Sequence, residues 1–251
     1  MAFGLRRSKR RDYSEVEWAA RVDLAAAYRL THLFGMTDLN YNHITARVPG
    51  TQDQFLINEF GLGYDEVRAS NLVKIDLQGN ILEPGEHRIN FPGYVIHSAV
   101  HGARHDVGCV MHTHTLYGMA VSAFKEGLTP LQQDAFQFHD RIAYHDFEGQ
   151  ATNLDERERL VIDLGEKNAM ILKNHGLLTM GATVPQAWVA MWQLERACQV
   201  QVLARSTGEA VHLPLATVME KASSARNLRY QSVEWGWLLR TLDRLDPTYK
   251  A

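Results

Sequence analysis

The stretch Gly108-Cys109-Val110-Met111-His112-Thr113-His114-Thr115 is an apolar run that ends in two histidines and a turn. Cys109, Val110 and Met111 read as a short buried strand, and side chains two apart in a strand leave the same face. His112 and His114 therefore point at one spot, where two neutral imidazoles can converge on a divalent metal. A second strand-like run, Ala169-Met170-Ile171-Leu172, leads into Lys173-Asn174-His175-Gly176 and offers a third imidazole. Three histidine ligands with an open fourth position would make a catalytic metal site rather than a structural one. The competing reading is accidental. With 12 histidines in 251 residues, such a pair can arise by chance and simply pack in a core.

The bulk numbers narrow the class. Hydrophobic residues make up 45% and charged residues 22%, as in ordinary globular enzymes, and a chain this long can bury a core without disulfide or metal staples. One domain over 14–251 is expected, preceded by a tail over 1–13. The tail carries Arg6, Arg7, Lys9, Arg10 and Arg11 and reads as solvated and disordered. A formal net charge of −3 gives no reason to expect nucleic acid or an anionic membrane as partner. Cys109 and Cys198 are the two cysteines, expected as free buried thiols of a reducing compartment. No apolar run of roughly 20 residues and no signal-peptide core is found, so the cytoplasm is the expected location.

Local signals divide the chain into short strands flanked by helices. Ser14 and Glu17 form a capping box ahead of Val16, Ala20, Leu24, Ala27 and Leu30 at helical spacing, with Gly35 as the stop. Strands are expected at 44–48, 54–58 and 73–76, punctuated by Gly50, Gly61, Gly63 and Gly79. Pro92 opens a helix to about Ala103. The Cys109 strand follows, then a short helix near Tyr117 to Phe124 and a strand at 142–145. Asn153 and Glu156 open a helix around Leu160 to Leu164, and the Met170 strand comes next. A long helix runs from about Pro185 to Arg205. Thr217 and Glu220 form a second capping box before one last helix that ends by Pro247. The pattern is α/β.

Three motifs occur in order: Asn42-His43-Ile44-Thr45, Cys109-Val110-Met111-His112-Thr113-His114-Thr115 and Leu172-Lys173-Asn174-His175-Gly176. Together they resemble the class II aldolase/adducin family, over a span from about Glu15 to Arg205. The run Gly93-Tyr94-Val95-Ile96-His97-Ser98-Ala99-Val100-His101 is similar to the adducin-related branch. The resemblance implies a three-layer α/β/α sandwich with a mostly antiparallel central sheet, and a homotetramer with sites near subunit boundaries. It also implies that His112, His114 and His175 hold a divalent metal, zinc first, with manganese or iron as alternatives. Such a metal acts as a Lewis acid on a substrate carbonyl, a need shared by retro-aldol cleavage, epimerisation and decarboxylation.

Other site residues follow from the same resemblance. Glu86, in Glu86-His87-Arg88, stands where sugar-phosphate aldolases of the family keep a general acid/base; its other reading is a solvated turn residue. Asn42 can donate its amide to a substrate oxygen, or else form an Asx turn. Gly61 matches a glycine of the family's phosphate-binding loops. Those loops here read Asn58-Glu59-Phe60-Gly61 and Glu83-Pro84-Gly85-Glu86. Both lack the family's hydroxyl donors, and Glu59 and Glu83 bring negative charge where an anion would sit. A small non-phosphorylated hydroxy- or keto-acid, or an aromatic acid, is therefore the expected substrate.

The remaining candidates read mainly as structure. His97, His101 and His105 form an i, i+4, i+8 stripe assigned to packing and hydrogen bonding, with His101 the most open to a binding role. Tyr144, His145 and Asp146 line either the site or an interface. Trp188 and Trp192 belong to the core or a subunit contact. Three functions are carried forward. The first is a metal-dependent carbon–carbon lyase. The second is an iron-dependent oxygenase or decarboxylase of aromatic acids on the same three histidines. The third is a non-catalytic adducin-like interaction domain, since a fold does not imply catalysis.

Overall fold

The Ser14 hydroxyl accepts the Glu17 backbone N–H at 3.2 Å and starts helix α1 (Glu15–Leu33). A side-chain oxygen at this position satisfies one of the N–H groups that a helix start leaves free. Gly35, at φ +66°, turns the chain out of the helix. The computed structural model describes residues 13–149, 155–224 and 229–251. The basic cluster of the expected tail lies outside the described residues, as does Asn153.

Among the described residues seven strands follow: β1 (His43–Arg47), β2 (Gln54–Asn58), β3 (Leu72–Asp76), β4 (Cys109–Thr113), β5 (Ile142–His145), β6 (Ala169–Leu172) and β7 (Gly176–Gly181). They form one sheet in the order β3-β2-β1-β4-β7-β6-β5. Only the β5–β6 pair is parallel; the other neighbours are antiparallel. The further helices are α2 (Phe91–Ala103), α3 (Leu116–Ser122), α4 (Gln133–Phe136), α5 (Glu156–Leu164), α6 (Val184–Ser206), α7 (Ala216–Ser224) and α8 (Arg229–Leu245).

Strand alternation sorts the core into two layers. Ile44, Met111 and Ile171 face Leu24 and Tyr28 of α1 and Trp188 and Leu194 of α6. Val110, Met170 and Leu178 face Val95 and Val100 of α2 and Leu160 and Leu164 of α5. Met111 and Val110 are neighbours in sequence yet serve opposite faces, as a two-residue period demands. The result is the expected α/β/α sandwich with a mostly antiparallel sheet. Each fully buried Leu or Ile in it contributes about 1.5–3 kcal/mol.

One contact fixes the strand end that matters most. β1 and β2 pair at Ala46↔Leu56 and Arg47↔Phe55. Toward His43 the gap is bridged by the Tyr28 hydroxyl, which accepts the Ile44 N–H at 2.7 Å and lies 2.8 Å from Asn58 Oδ1. The start of β1, with Asn42 and His43, is thereby tied to α1 and β2.

Three expectations need correction. Strand β7 was not anticipated: Gly176-Leu177-Leu178-Thr179-Met180-Gly181 is buried throughout and so shows no apolar–polar alternation. The single last helix is two, α7 and α8, and Thr217 sits inside α7 rather than capping it. The histidine stripe stops at two, because α2 ends at Ala103 and leaves His105 beyond it. Among the described residues no helix is long and apolar enough to cross a membrane.

Candidate metal centre

All three histidine motifs reach one end of the sheet. β4 ends at Thr113, so His114 follows it; β6 ends at Leu172 and β7 begins at Gly176, so His175 lies in the turn between them. β4 and β7 are hydrogen-bonded neighbours, with His112 opposite Leu178. Close approach depends on Gly176, where a Cβ would overlap the Thr113 carbonyl oxygen. Asn174, at φ +55°, takes a left-handed conformation that Asn tolerates better than most residues. It aims His175 back across the sheet end.

The imidazoles meet there. One ligand atom from each of His112, His114 and His175 lies within 4.8 Å of the other two. Ring centroids are 4.7 Å apart for His112–His114, and 4.8 Å for each of these against His175. His112 is buried, whereas His114 and His175 are partly exposed, so the open side of the group faces out past these two.

Tautomers decide what the group can hold. His112 Nδ1 lies 2.9 Å from the Leu177 carbonyl oxygen, and His114 Nδ1 lies 3.1 Å from Asp38 Oδ2. Both partners are acceptors, so both Nδ1 atoms carry the proton and donate it. Each Nε2 is left with a lone pair, and the two Nε2 atoms are 2.9 Å apart. Two facing lone pairs repel; a shared cation converts that repulsion into ligation. Burial, followed by the neighbouring His175 and His114, holds His112 well below the ordinary imidazole range, so His112 itself does not take up a second proton. His175 is lowered to about 4 by burial and then by His114. These donors fit a divalent metal, and the partners of His112 and His114 are the kind that fix ligating histidines.

Asp38 was not found from the sequence. It lies in the turn after α1, adjacent to Leu39 at φ +48°, and no spacing rule links it to His114. Asp38→Ala is expected to weaken metal affinity about 10–100-fold, measured by competition with a chromophoric chelator. Unchanged affinity would remove Asp38 from the site.

Asn42 and His43 stand beside the group. His43 is the cross-strand partner of His112, its ring centroid 6.5 Å from that of His112. Both residues are about 1% exposed, and among the described residues the Asn42 amide has no hydrogen-bond partner. Burial lowers His43 to about 4. Behind them, Thr45 Oγ1 lies 2.8 Å from both His97 Nδ1 and His101 Nε2. That is the packing and hydrogen-bonding role expected of these two histidines.

The loop residues are placed differently. Gly61, at φ +103°, turns the chain just past the same end of β2. Glu86 is exposed on the segment that returns to this end, where the Phe60 N–H donates to the Arg88 carbonyl at 2.8 Å. It is not part of the three-histidine group. Glu83 does not present its charge to a ligand as expected. Buried Arg21 forms an ion pair with it, and the Tyr13 hydroxyl donates to it at 3.2 Å. Glu59 faces His87 at 3.4 Å. The case against a phosphate therefore rests on the missing hydroxyl donors. His145 is held by Asp163 at 2.7 Å, and Asp146 pairs with Lys173 at 2.6 Å; Phe147, after them, brings its ring 6.2 Å from His175.

Comparison with known proteins agrees with this architecture. Residues 22–202 match the Class II Aldolase and Adducin N-terminal domain. An aldolase II superfamily protein from Pseudomonas syringae superposes with a TM-score of 0.93 at 49% identity, covering 96% of this chain and 99% of that one. L-fuculose 1-phosphate aldolase from Glaciozyma antarctica PI12 gives 0.84 at 27% identity, covering 95% and 96%. Alpha-adducin of Mus musculus is 46% identical over 195 residues, 76% of this chain but 26% of that protein. The chain belongs to the class II aldolase and adducin family.

Proposed function

We propose that this protein is a metal-dependent carbon–carbon lyase of the aldolase type, acting on a small, non-phosphorylated hydroxy- or keto-acid. The observation that carries the reading is the 2.9 Å approach of the Nε2 atoms of His112 and His114, completed by His175. Zinc is the metal best suited to three imidazoles with an open position, with manganese and iron behind it. When bound, the metal supplies Lewis acidity toward a substrate carbonyl oxygen.

The chain's own residues do the rest. His112, His114 and His175 hold the metal, and the Leu177 carbonyl and Asp38 carboxylate keep two of those rings in the ligating tautomer. Asn42 offers a buried, unpartnered amide to a substrate oxygen, and Gly61 leaves the adjoining loop open to substrate. Glu86 moves the proton to or from carbon. Similarity to an L-fuculose 1-phosphate aldolase supports the reaction type; the loops without hydroxyls argue for a substrate without phosphate. Assembly as a homotetramer in the cytoplasm completes the proposal.

The test is a screen of the metal-loaded protein against short hydroxy- and keto-acids, with Glu86→Gln alongside. The variant is expected to keep its metal and lose turnover by about 10²-fold or more. Undiminished turnover would take Glu86 out of the mechanism. A second reading, an interaction domain without catalysis, is favoured by the identity with alpha-adducin. A metal-loaded protein that turns over no member of the screen would support it.

A further inference from the structure

Phe34 at the end of α1, Trp188 and Trp192 of α6, and Glu234, Trp237 and Leu238 of α8 line a cavity of about 300 Å³. Its walls are aromatic. Phe34 meets Trp188 edge to face at 5.5 Å, and Trp188 is held rigid by its Nε1–H, which donates to Thr31 Oγ1 at 3.0 Å. Trp237 is 51% exposed and stands at the rim. Glu234 is the one charged group among these residues. Its Oε2 is closed off from solvent, with no hydrogen-bond partner among the described residues. Burial, and then Asp134 of α4, push its carboxyl above the ordinary range.

A carboxylate oxygen removed from water without a partner is costly, and a positive charge beside it removes that cost. Indole faces attract cations too, and one already does so here: Arg196 Cζ lies 5.1 Å from the Trp192 ring centroid. A bare metal ion would find a single carboxylate among the lining side chains, whereas a neutral apolar guest would leave Glu234 unpaired. A ligand with an apolar shell around a positive charge satisfies both the rings and the carboxylate. We propose that this cavity binds a small organic cation of the methylated-ammonium class, its methyl groups against the indoles and its charge beside Glu234. The site is independent of the three histidines.

Tryptophan fluorescence of the full chain, titrated with choline and with its neutral isostere 3,3-dimethylbutan-1-ol, tests the assignment. Choline is expected to bind about tenfold tighter than the isostere. Glu234→Gln should reduce that preference, and Trp237→Ala should weaken both ligands, with oligomer size and metal content unchanged in each variant. Equal affinity for the two compounds, or binding of neither, would overturn the proposal. So would an oligomer that dissociates on Trp237→Ala while choline leaves the wild-type fluorescence unchanged, since a second copy would then occupy the cavity.

Discussion

Protein carrying His112→Ala is expected to lose its divalent metal and keep its fold. His112 supplies the most buried of the three imidazoles, with its Nε2 turned toward His114 by the proton it donates to Leu177. Without it two ligands remain, and affinity should fall by at least about 100-fold, beyond the loss that follows removal of a supporting partner. The fold should survive, because removing a buried ring costs only a few kcal/mol. In the metal-free protein the same change relieves the repulsion between two lone pairs. His175→Ala should behave alike. Elemental analysis and circular dichroism check both, and full occupancy in both variants would refute the ligand assignment.

Acid sensitivity of the metal-free protein is the second large effect. Burial lowers His43 to about 4 and His101 to about 3, and His175 lies at about 4. His97 is held well below the ordinary imidazole range, by burial first and then by His43. In the unfolded chain these rings take up protons near 6.5. Between about pH 6.5 and 4 the unfolded state therefore binds more protons, so stability is complete above 6.5 and is lost as the pH falls. The displacement of fully buried His43 alone is worth roughly 3 kcal/mol by pH 4. Several such rings together approach the whole stability of a typical domain, about 5–15 kcal/mol. Urea midpoints of the chelator-treated protein should fall steeply from pH 7.5 to pH 5. Equal midpoints would contradict the buried, neutral state of these histidines.

Much of the fold could be read because local signals were strong. The Ser14 cap, the β4 and β6 runs and the Pro92 start of α2 all lie where apolar spacing and capping chemistry put them. β7 escaped because a strand buried on both faces shows no alternation. It is also the strand that joins β4 to β6, so the placement of His175 beside His112 followed from family resemblance rather than from pairing. Long-range partners were invisible for the same reason. Asp38 reaches His114 across 76 residues, and Arg21 reaches Glu83 across 62. A sequence shows that a carboxylate is present, but not which cation it will face. That is why Glu83 read as a charge in the ligand loop and proved to be an ion-pair partner, and why Asp38 drew no notice.

The most direct test of the central claim is elemental analysis of the native protein purified without added metal or chelator. The three-histidine site predicts close to one divalent ion per chain, zinc before manganese or iron. Absence of any bound metal, even after reconstitution with each of these ions, would contradict it.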